Sequence, residues 1–330
     1  REIHADNFAS AFAESNSQIR LMTSGTTGIP KTVTHDVHSL TRGIQVSKNH
    51  SRDVWGLAYP LEHLSGLQVL FQAILNGNTI VQLFGYSGRT IHTAIQDHSV
   101  THLSCTPTFL KLLGTESNSH KNVRRLTTGG ERIDSSTRAS INQLFPNAKH
   151  RNIYALTEVG NLFISDGEIF TVPRKLNELI CILDETLAIH RSLLANFVPE
   201  NQAKSGDWYI TGDLVDIIET NPLRFKFRAR HDDIINVGGY KVTPQIVEKL
   251  LGEIDGVKQA LVYGEKNSVT GEIVACDIVA QPGHVLETDL IRQQLSGQLP
   301  RHAIPRIINM VASLKITTNG KLCRHKKQSS

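Results

Sequence analysis

The sequence predicts an α/β fold: a helix-covered sheet with a small β region, followed by a smaller α+β C-terminal domain. Three observations predict it. Between Val54 and Leu156, short apolar β-type runs alternate with stretches of helical spacing, as in a parallel sheet covered by helices. From Leu162 to Phe227 the helical pattern disappears and short strand-like pieces dominate. Beyond the charged stretch Arg230–Asp233, strand and helix patterns return, intermixed. The expected domains are therefore residues 1–230 and 231–330.

Taken in order, residues 1–18 are polar. Val33–His35 reads as a strand, with a helix from about Asp36 to Lys48. Val54–Ala58 is a strand ending at Pro60. Leu67, Leu70, Phe71, Ile74 and Leu75 share one helix face, and Gly77-Asn78 ends that helix. Thr79–Leu83, Val100–Cys105, Val123–Thr127 and Asn152–Leu156 read as strands; Thr90–Gln96 and Thr108–Leu113 read as helices. Ser135 or Ser136 suits the cap of a helix reaching Leu144. Glu178–Leu183, Trp208–Ile210 and Arg224–Phe227 suggest an antiparallel or barrel-like region. In the last hundred residues, strands are expected at Ile234–Val237, Gln259–Tyr263, Glu272–Ala280 and Arg306–Val311. Helices are expected at Pro244–Leu251, where Thr243 is placed as N-cap, and at Thr288–Leu299.

At 330 residues the chain can bury two cores, and its 39% apolar and 20% charged content is that of a globular protein. No apolar run approaches the ~20 residues that span a bilayer. The net charge of +4 is spread out, so no basic tract argues for nucleic acid. Cys105, Cys181, Cys276 and Cys323 lie far apart, with neither zinc spacing nor a disulfide framework; a reducing cytoplasm is the simplest setting. The opening REIHADNFAS has no signal-peptide core and no initiator Met, as expected of a trimmed chain or a segment of a longer one.

The chemistry is concentrated in short stretches. The β-type run Ile19–Thr23 leads into Ser24-Gly25-Thr26-Thr27-Gly28, then Pro30 and Lys31. Two glycines let the backbone approach a ligand, three hydroxyls donate, and a lysine adds charge, which suits polyphosphate oxygens. It is not a Walker A loop, because Pro30 replaces the second glycine and Thr32 follows Lys31. Thr128-Gly129-Gly130-Glu131 and Tyr154-Ala155-Leu156-Thr157-Glu158 each follow a strand, where an α/β sheet holds ligands. An aromatic ring can stack on a base, and Thr157 with Glu158 can hold a phosphate and its Mg²⁺. Tyr209-Ile210-Thr211-Gly212-Asp213 puts a carboxylate behind a glycine turn, able to accept both hydroxyls of a ribose. Ala229–Val242 runs from charge through β-branched residues to Gly238-Gly239, as a linker entering a new domain does. Thr317–Arg324 contains an Asn-Gly turn beside Lys321. Singly, each has a bland alternative: GGE a common turn, Tyr154 a core ring, TGD a hairpin, Asn319-Gly320-Lys321 a solvated turn.

Their order is more specific than any one of them. S-G-T-T-G-x-P-K, then GGE, Y-x-x-T-E, TGD, R-x-D-D and N-G-K resembles the adenylate-forming superfamily of AMP-dependent synthetases and ligases, over some three hundred residues and closest to the acyl-CoA synthetases. The resemblance implies that Thr23, Ser24, Gly25, Thr26, Thr27, Gly28 and Lys31 form the site for the β- and γ-phosphates. It implies that Gly130 and Glu131 border adenine, that Tyr154 stacks on it, and that Asp213 and Arg230 bind ribose. Thr157 would contact phosphate and Glu158 would hold Mg²⁺. His63 would guard the acyl pocket, and Lys321 would be the catalytic lysine that bridges carboxylate and α-phosphate. Asp232 matches the hinge, Gly239 the glycine beside the pantetheine passage, and Lys241 a nearby cation. The implied cofactors are ATP, Mg²⁺ and coenzyme A, or the phosphopantetheine of a carrier protein.

Departures accompany the match. The family's first lobe is missing ahead of the phosphate loop, so the N-terminal core would be truncated, with the acyl pocket either left open or closed by a partner. Thr32 and Ala229 stand where glycines are usual, and Ile246 replaces a usual glutamate. The expected activity is R–COO⁻ + ATP → R–CO–AMP + PPi on a small carboxylic acid, then acyl transfer to CoA. Gly-Gly-Tyr-Lys-Val favours the CoA ligases over amino-acid adenylation domains, as does the lack of an aspartate in Leu61–Leu67. Two other readings are a stand-alone enzyme that loads an acyl carrier protein, and a nucleotide-binding module without turnover. Lys321, Glu158 and Asp213 argue against the last.

Overall fold

In the computed structural model, residues 18–23, 31–114, 118–131, 133, 135–195, 204–315, 322 and 324 are described. Two strands, β1 (Gln18–Thr23) and β2 (Lys31–Asp36), pair antiparallel with Thr23 opposite Lys31. The helix that follows, α1, covers only Val37–Thr41, much shorter than the expected span to Lys48. Asp36 starts it by accepting from Ser39 N at 2.8 Å, and Arg42-Gly43 lies beyond its end.

A six-stranded sheet follows, built from β3 (Val54–Leu57), β4 (Thr79–Gln82), β5 (His102–Cys105), β6 (Arg125–Gly129), β7 (Lys149–Leu156) and β8 (Gly160–Ser165). Its order is β4-β3-β5-β6-β7-β8, parallel throughout except for the last pair. The connecting helices are α2 (Leu64–Leu75), α3 (Gly88–Asp97), α4 (Pro107–Leu113) and α5 (Ser135–Leu144). Leu64, Leu67 and Phe71 give α2 its buried stripe, and Gly77, at φ 65°, turns the chain away. Thr106 caps α4 by accepting from Phe109 N at 3.0 Å, with Pro107 in the first turn. α5 begins at Ser135, so both serines expected as caps lie inside it.

The two faces of this sheet differ. Leu103, Cys105 and Leu126 point to one face and pack with Ile91, Ile95, Leu110, Ile141 and Phe145 from α3, α4, α5 and the turn after α5. Each such leucine contributes about 1.5–3 kcal/mol on leaving water. The opposite face carries Trp55, His102, Ser104, Arg125, Thr127 and Arg151, with α2 alongside.

The expected β region is an antiparallel sheet: β9 (Ile169–Thr171), β10 (Ile180–Leu183), β11 (Thr186–His190), β12 (Lys204–Ser205), β13 (Trp208–Thr220) and β14 (Leu223–Arg230), in the order β10-β11-β13-β14-β9 with β12 on β13. Strands β13 and β14 are far longer than the sequence suggests, because the hairpin beyond Val215 is exposed and carries no apolar alternation.

By its contacts the chain divides into two units, the second comprising Gly212–Leu214 and the chain from Arg228 onward, apart from 318–321. The second unit has its own sheet of β15 (Ile235–Val237), β16 (Tyr240–Val242), β17 (Val257–Asn267), β18 (Gly271–Ala280) and β19 (Ile307–Met310), ordered β16-β15-β18-β17, with β19 parallel to β18. Helices α6 (Pro244–Gly252) and α7 (Thr288–Ser296) bury Val247, Leu251, Ile291 and Leu295 against it. Thr243 occupies the N-cap position of α6 without a side-chain cap bond, contrary to expectation; Pro244 starts the helix.

Candidate active site

A cavity of about 490 Å³ lies over the polar face of the parallel sheet. Gly129-Gly130 at the end of β6 and Leu156-Thr157 at the end of β7 border it, as do His63 and Tyr59. Two loops at the carboxyl ends of adjacent parallel strands thus meet one concave space. Gly129 is required by packing: a Cβ there would lie 2.9 Å from the Ile153 carbonyl. Gly130 is required by its φ of 80°. Tyr59 is buried, which pushes its phenol well above the ordinary range.

Several expected site residues are brought together. Thr157 lines the cavity and Glu158 follows it in the same turn. His63 is the N-cap residue of α2 and lines the cavity, with no side-chain cap bond. Asp213 is buried, and Arg230 Nε donates to its Oδ1 at 2.8 Å, so the two residues expected at the ribose form one pair across β13 and β14. The glycine turn expected before Asp213 is not there: Gly212, at φ 75°, lies inside strand β13, a local irregularity that only glycine adopts easily.

Others are placed differently. Tyr154 alternates with Ile153 and Ala155 on β7 and faces away from the cavity they line. Its ring is 8% exposed and packs against Phe163, Phe170 and Phe225, the environment of a core tyrosine. The Glu131 carboxylate accepts from Thr108 N and Oγ1, both at 3.0 Å, and so holds the first turn of α4. What borders the cavity there is the glycine backbone.

In the second unit, Val237-Gly238-Gly239-Tyr240 forms a two-residue hairpin turn. The glycine φ values are 59° and 91°, and Asn236 Oδ1 accepts from Gly239 N at 3.0 Å. Lys241 is exposed beside this turn, where Tyr240 stacks on His302 at 4.5 Å. Asp232 lies exposed in the turn after β14. Ser24, Gly25, Thr26, Thr27, Gly28 and Lys321 lie outside the described residues, as do the side chains of Thr23 and Lys31. Leu322, the next residue in sequence after Lys321, packs on Leu261, Val279 and Leu314. Arg324 forms a two-pronged ion pair with Glu248 of α6 and donates to the Val262 carbonyl at 2.9 Å.

Two residues that sequence reasoning missed tie the site together. His35 on β2 is fully buried and donates from Nε2 to the Thr157 carbonyl at 2.6 Å; burial lowers its pKa and keeps the ring neutral. Arg42 donates to the Val159 carbonyl at 2.7 Å. The strand leaving the expected phosphate loop is thereby fastened to the turn that carries Glu158. No periodicity marks such residues, because their partners are backbone carbonyls more than a hundred positions away.

Among the described residues, no group of three or more His, Cys, Asp or Glu side chains could cage a metal ion. One carboxylate is enough for Mg²⁺ held through nucleotide phosphates, since that ion keeps several waters. Glu158 fits that requirement.

The AMP-binding enzyme family matches residues 15–179, and the AMP-binding enzyme C-terminal domain matches residues 246–321. The chain belongs to the AMP-binding enzyme family, the adenylate-forming enzymes. It is similar to 2-succinylbenzoate–CoA ligase of Oceanobacillus iheyensis, 26% identical and covering 92% of this chain and 68% of the relative. It is also similar to the mitochondrial acyl-coenzyme A synthetase ACSM5 of Mus musculus, 26% identical over 92% of this chain and 59% of the relative. Among solved structures, ATP-bound MatB from Rhodopseudomonas palustris superposes with a TM-score of 0.75 at 19% identity, over 92% of this chain and 66% of that one. The o-succinylbenzoate CoA synthetase MenE from Bacillus subtilis, holding its acyl-adenylate, gives 0.71 at 21% identity, over 94% and 69%. The chain thus spans about two thirds of the length of such relatives, and the shared fold is the α/β architecture described above. No helix among the described residues is long and apolar enough to cross a membrane.

Proposed function

We propose that this chain is an ATP-dependent, AMP-forming carboxylate ligase, which activates an organic acid as acyl-AMP and transfers the acyl group to CoA. The observation that carries the proposal is the meeting of Gly129-Gly130, Thr157 and His63 around one cavity at the carboxyl edge of a parallel sheet. The family and the CoA ligases among the relatives supply the reaction class.

The first step is R–COO⁻ + ATP → R–CO–AMP + PPi, and the second R–CO–AMP + CoA–SH → R–CO–S–CoA + AMP. One anion attacks another, so catalysis requires positive charge and positioning. Mg²⁺, when bound, neutralises charge on the phosphates. In this reading residues 24–28 and Lys31 grip the β- and γ-phosphates, Thr157 contacts phosphate, and Glu158 holds the ion. Asp213 accepts the ribose hydroxyls, oriented by Arg230. The Gly129-Gly130 backbone borders adenine. The enclosure of Tyr154 leaves its stacking role dependent on a turn of the ring out of the aromatic cluster. His63 borders the acyl group. Lys321 bridges carboxylate and α-phosphate, and the pantetheine passes Gly239 beside Lys241. Residues 231–330 would act as a mobile domain that turns at Asp232 between the two steps. Among the described residues Cys105, Cys181 and Cys276 are free thiols, which fits a reducing cytoplasm. A partner that supplies the missing lobe belongs to the same proposal.

Carboxylate-dependent ATP–pyrophosphate exchange, followed by acyl transfer to CoA or to a phosphopantetheinylated carrier protein, tests this reading. Exchange with no acid would overturn it. Acyl transfer to a carrier and never to CoA would make the chain a carrier-loading enzyme. Lys321→Ala should lower adenylation by about a hundred- to a thousandfold while sparing thioester formation from supplied acyl-AMP. Asp232→Pro, which fixes φ at the hinge, should spare adenylation and slow the second step.

A further inference from the structure

The floor of the cavity is an array of donors. Trp55, His102 and Arg125 lie side by side on β3, β5 and β6, with the register pairing Trp55 to His102 and His102 to Arg125. One level nearer the carboxyl edge, Ser104, Thr127 and Arg151 form a second row on the same face. No Asp or Glu lines the cavity among the described residues. The nearest carboxylate of that row, Asp53, is buried and already taken: His50 Nδ1 lies 3.0 Å from it, His102 Nε2 3.4 Å and Arg124 Nη2 3.7 Å. Arg151 is paired with Asp166 at 3.1 Å. Arg125 has no acidic partner among the described residues, and the buried Trp55 Nε1 has no hydrogen-bond partner there.

A parallel sheet buried on both faces is expected to be apolar on both. Here the helix-covered face is apolar, whereas the cavity face offers an unpaired guanidinium and an unpaired indole N–H. Arg125 and Gly129 stand four positions apart on β6, about 13 Å of strand. A substrate whose reacting carboxylate lies near Gly129 and His63 would therefore reach Arg125 with its far end.

We propose that the acid taken by this site carries a second anionic group at its far end, a dicarboxylate in the simplest case, and that Arg125 with Trp55 Nε1 receives it. An unpaired guanidinium gains a two-pronged, charge-assisted pair with a carboxylate and gains nothing from an alkyl end. Arg125 thus acts as a specificity residue, away from the reacting atoms. The inference rests on the adenylation reading above and adds the class of acid.

The test is ATP–pyrophosphate exchange by the full chain with Mg²⁺, across α,ω-dicarboxylates and the monocarboxylates of equal chain length. At the favoured length, kcat/KM for the diacid should exceed that of its matched monoacid by about ten- to a hundredfold. Arg125→Gln should bring that ratio toward one, and Arg125→Lys should restore part of it. Arg125 is exposed, so both variants should keep the unfolding midpoint of the parent. Monoacids used equally well or better, or a ratio that Arg125→Gln does not move, would overturn the inference while leaving adenylation standing. Exchange with neither class would overturn adenylation, and this inference with it.

Discussion

Leu126 and Thr127 are neighbours on one strand and belong to different worlds. Leu126 is fully buried under the α3–α5 layer; Thr127 lines the cavity. The period-two alternation of a strand puts them on opposite faces. The same split runs across the sheet, Leu103 against His102 and Ser104, Tyr154 against Ile153 and Ala155. One face is spent on packing and the other on recognition. Stability and chemistry should therefore be separable residue by residue.

The largest effect expected from that separation is at Leu126. Leu126→Ala should lower unfolding free energy by about 3 kcal/mol, within the range for emptied leucine sites, as measured by urea denaturation. A loss under 1 kcal/mol would mean that the helix-covered face is not the structural one.

Next comes the buried histidine pair on the same side. His92 Nε2 lies 3.0 Å from the Leu113 carbonyl and must donate to it, so its Nδ1 accepts from His120 Nε2 at 2.7 Å. Burial, then the neighbouring His92, lowers the His120 pKa to about 4. The unfolded chain binds the proton more readily, near pH 6.5, so stability should fall as pH drops from 6.5 toward 4. The limit is about 3 kcal/mol, and His120→Gln should flatten this slope in denaturation curves taken across that window. An unchanged slope would mean that His120 does not titrate with unfolding.

A smaller effect is expected where the cavity side is fastened. Arg42→Met removes the donor to the Val159 carbonyl and should cost about 1 kcal/mol. It should raise KM for ATP more than that for the acid, because the turn it holds carries Glu158. Equal changes in both would count against that role. The smallest is Thr127→Ala, expected within about 0.5 kcal/mol of the parent in stability. Its effect should appear in the acid dependence of pyrophosphate exchange; a large stability loss instead would erase the contrast with Leu126.

Much of this organisation was legible in the sequence. Strand and helix alternation marked the parallel sheet, because apolar spacing has the period of the element that buries it. The order of glycine, hydroxyl and acid motifs marked the family. The parts that were not legible depend on tertiary partners. Glu131 reads as a ligand residue until Thr108 is seen to occupy its carboxylate. Tyr154 reads as a stacking ring until its three phenylalanine neighbours appear. The helix expected to reach Lys48 stops at Thr41, where Arg42 turns instead to the Val159 carbonyl. Arg125 has no motif at all; its meaning comes from the row it shares with Trp55 and His102.

The bond from His35 to the Thr157 carbonyl has a thermodynamic consequence. It links the strand that leaves the stretch proposed to grip phosphate to the turn that would carry the metal ligand, across 122 positions of sequence. Work done on one is felt by the other, so nucleotide and cation should not bind as independent ligands. Each should tighten the other by the same factor, since coupling free energy is reciprocal. The size of that shared factor would measure how much of it a single buried imidazole carries.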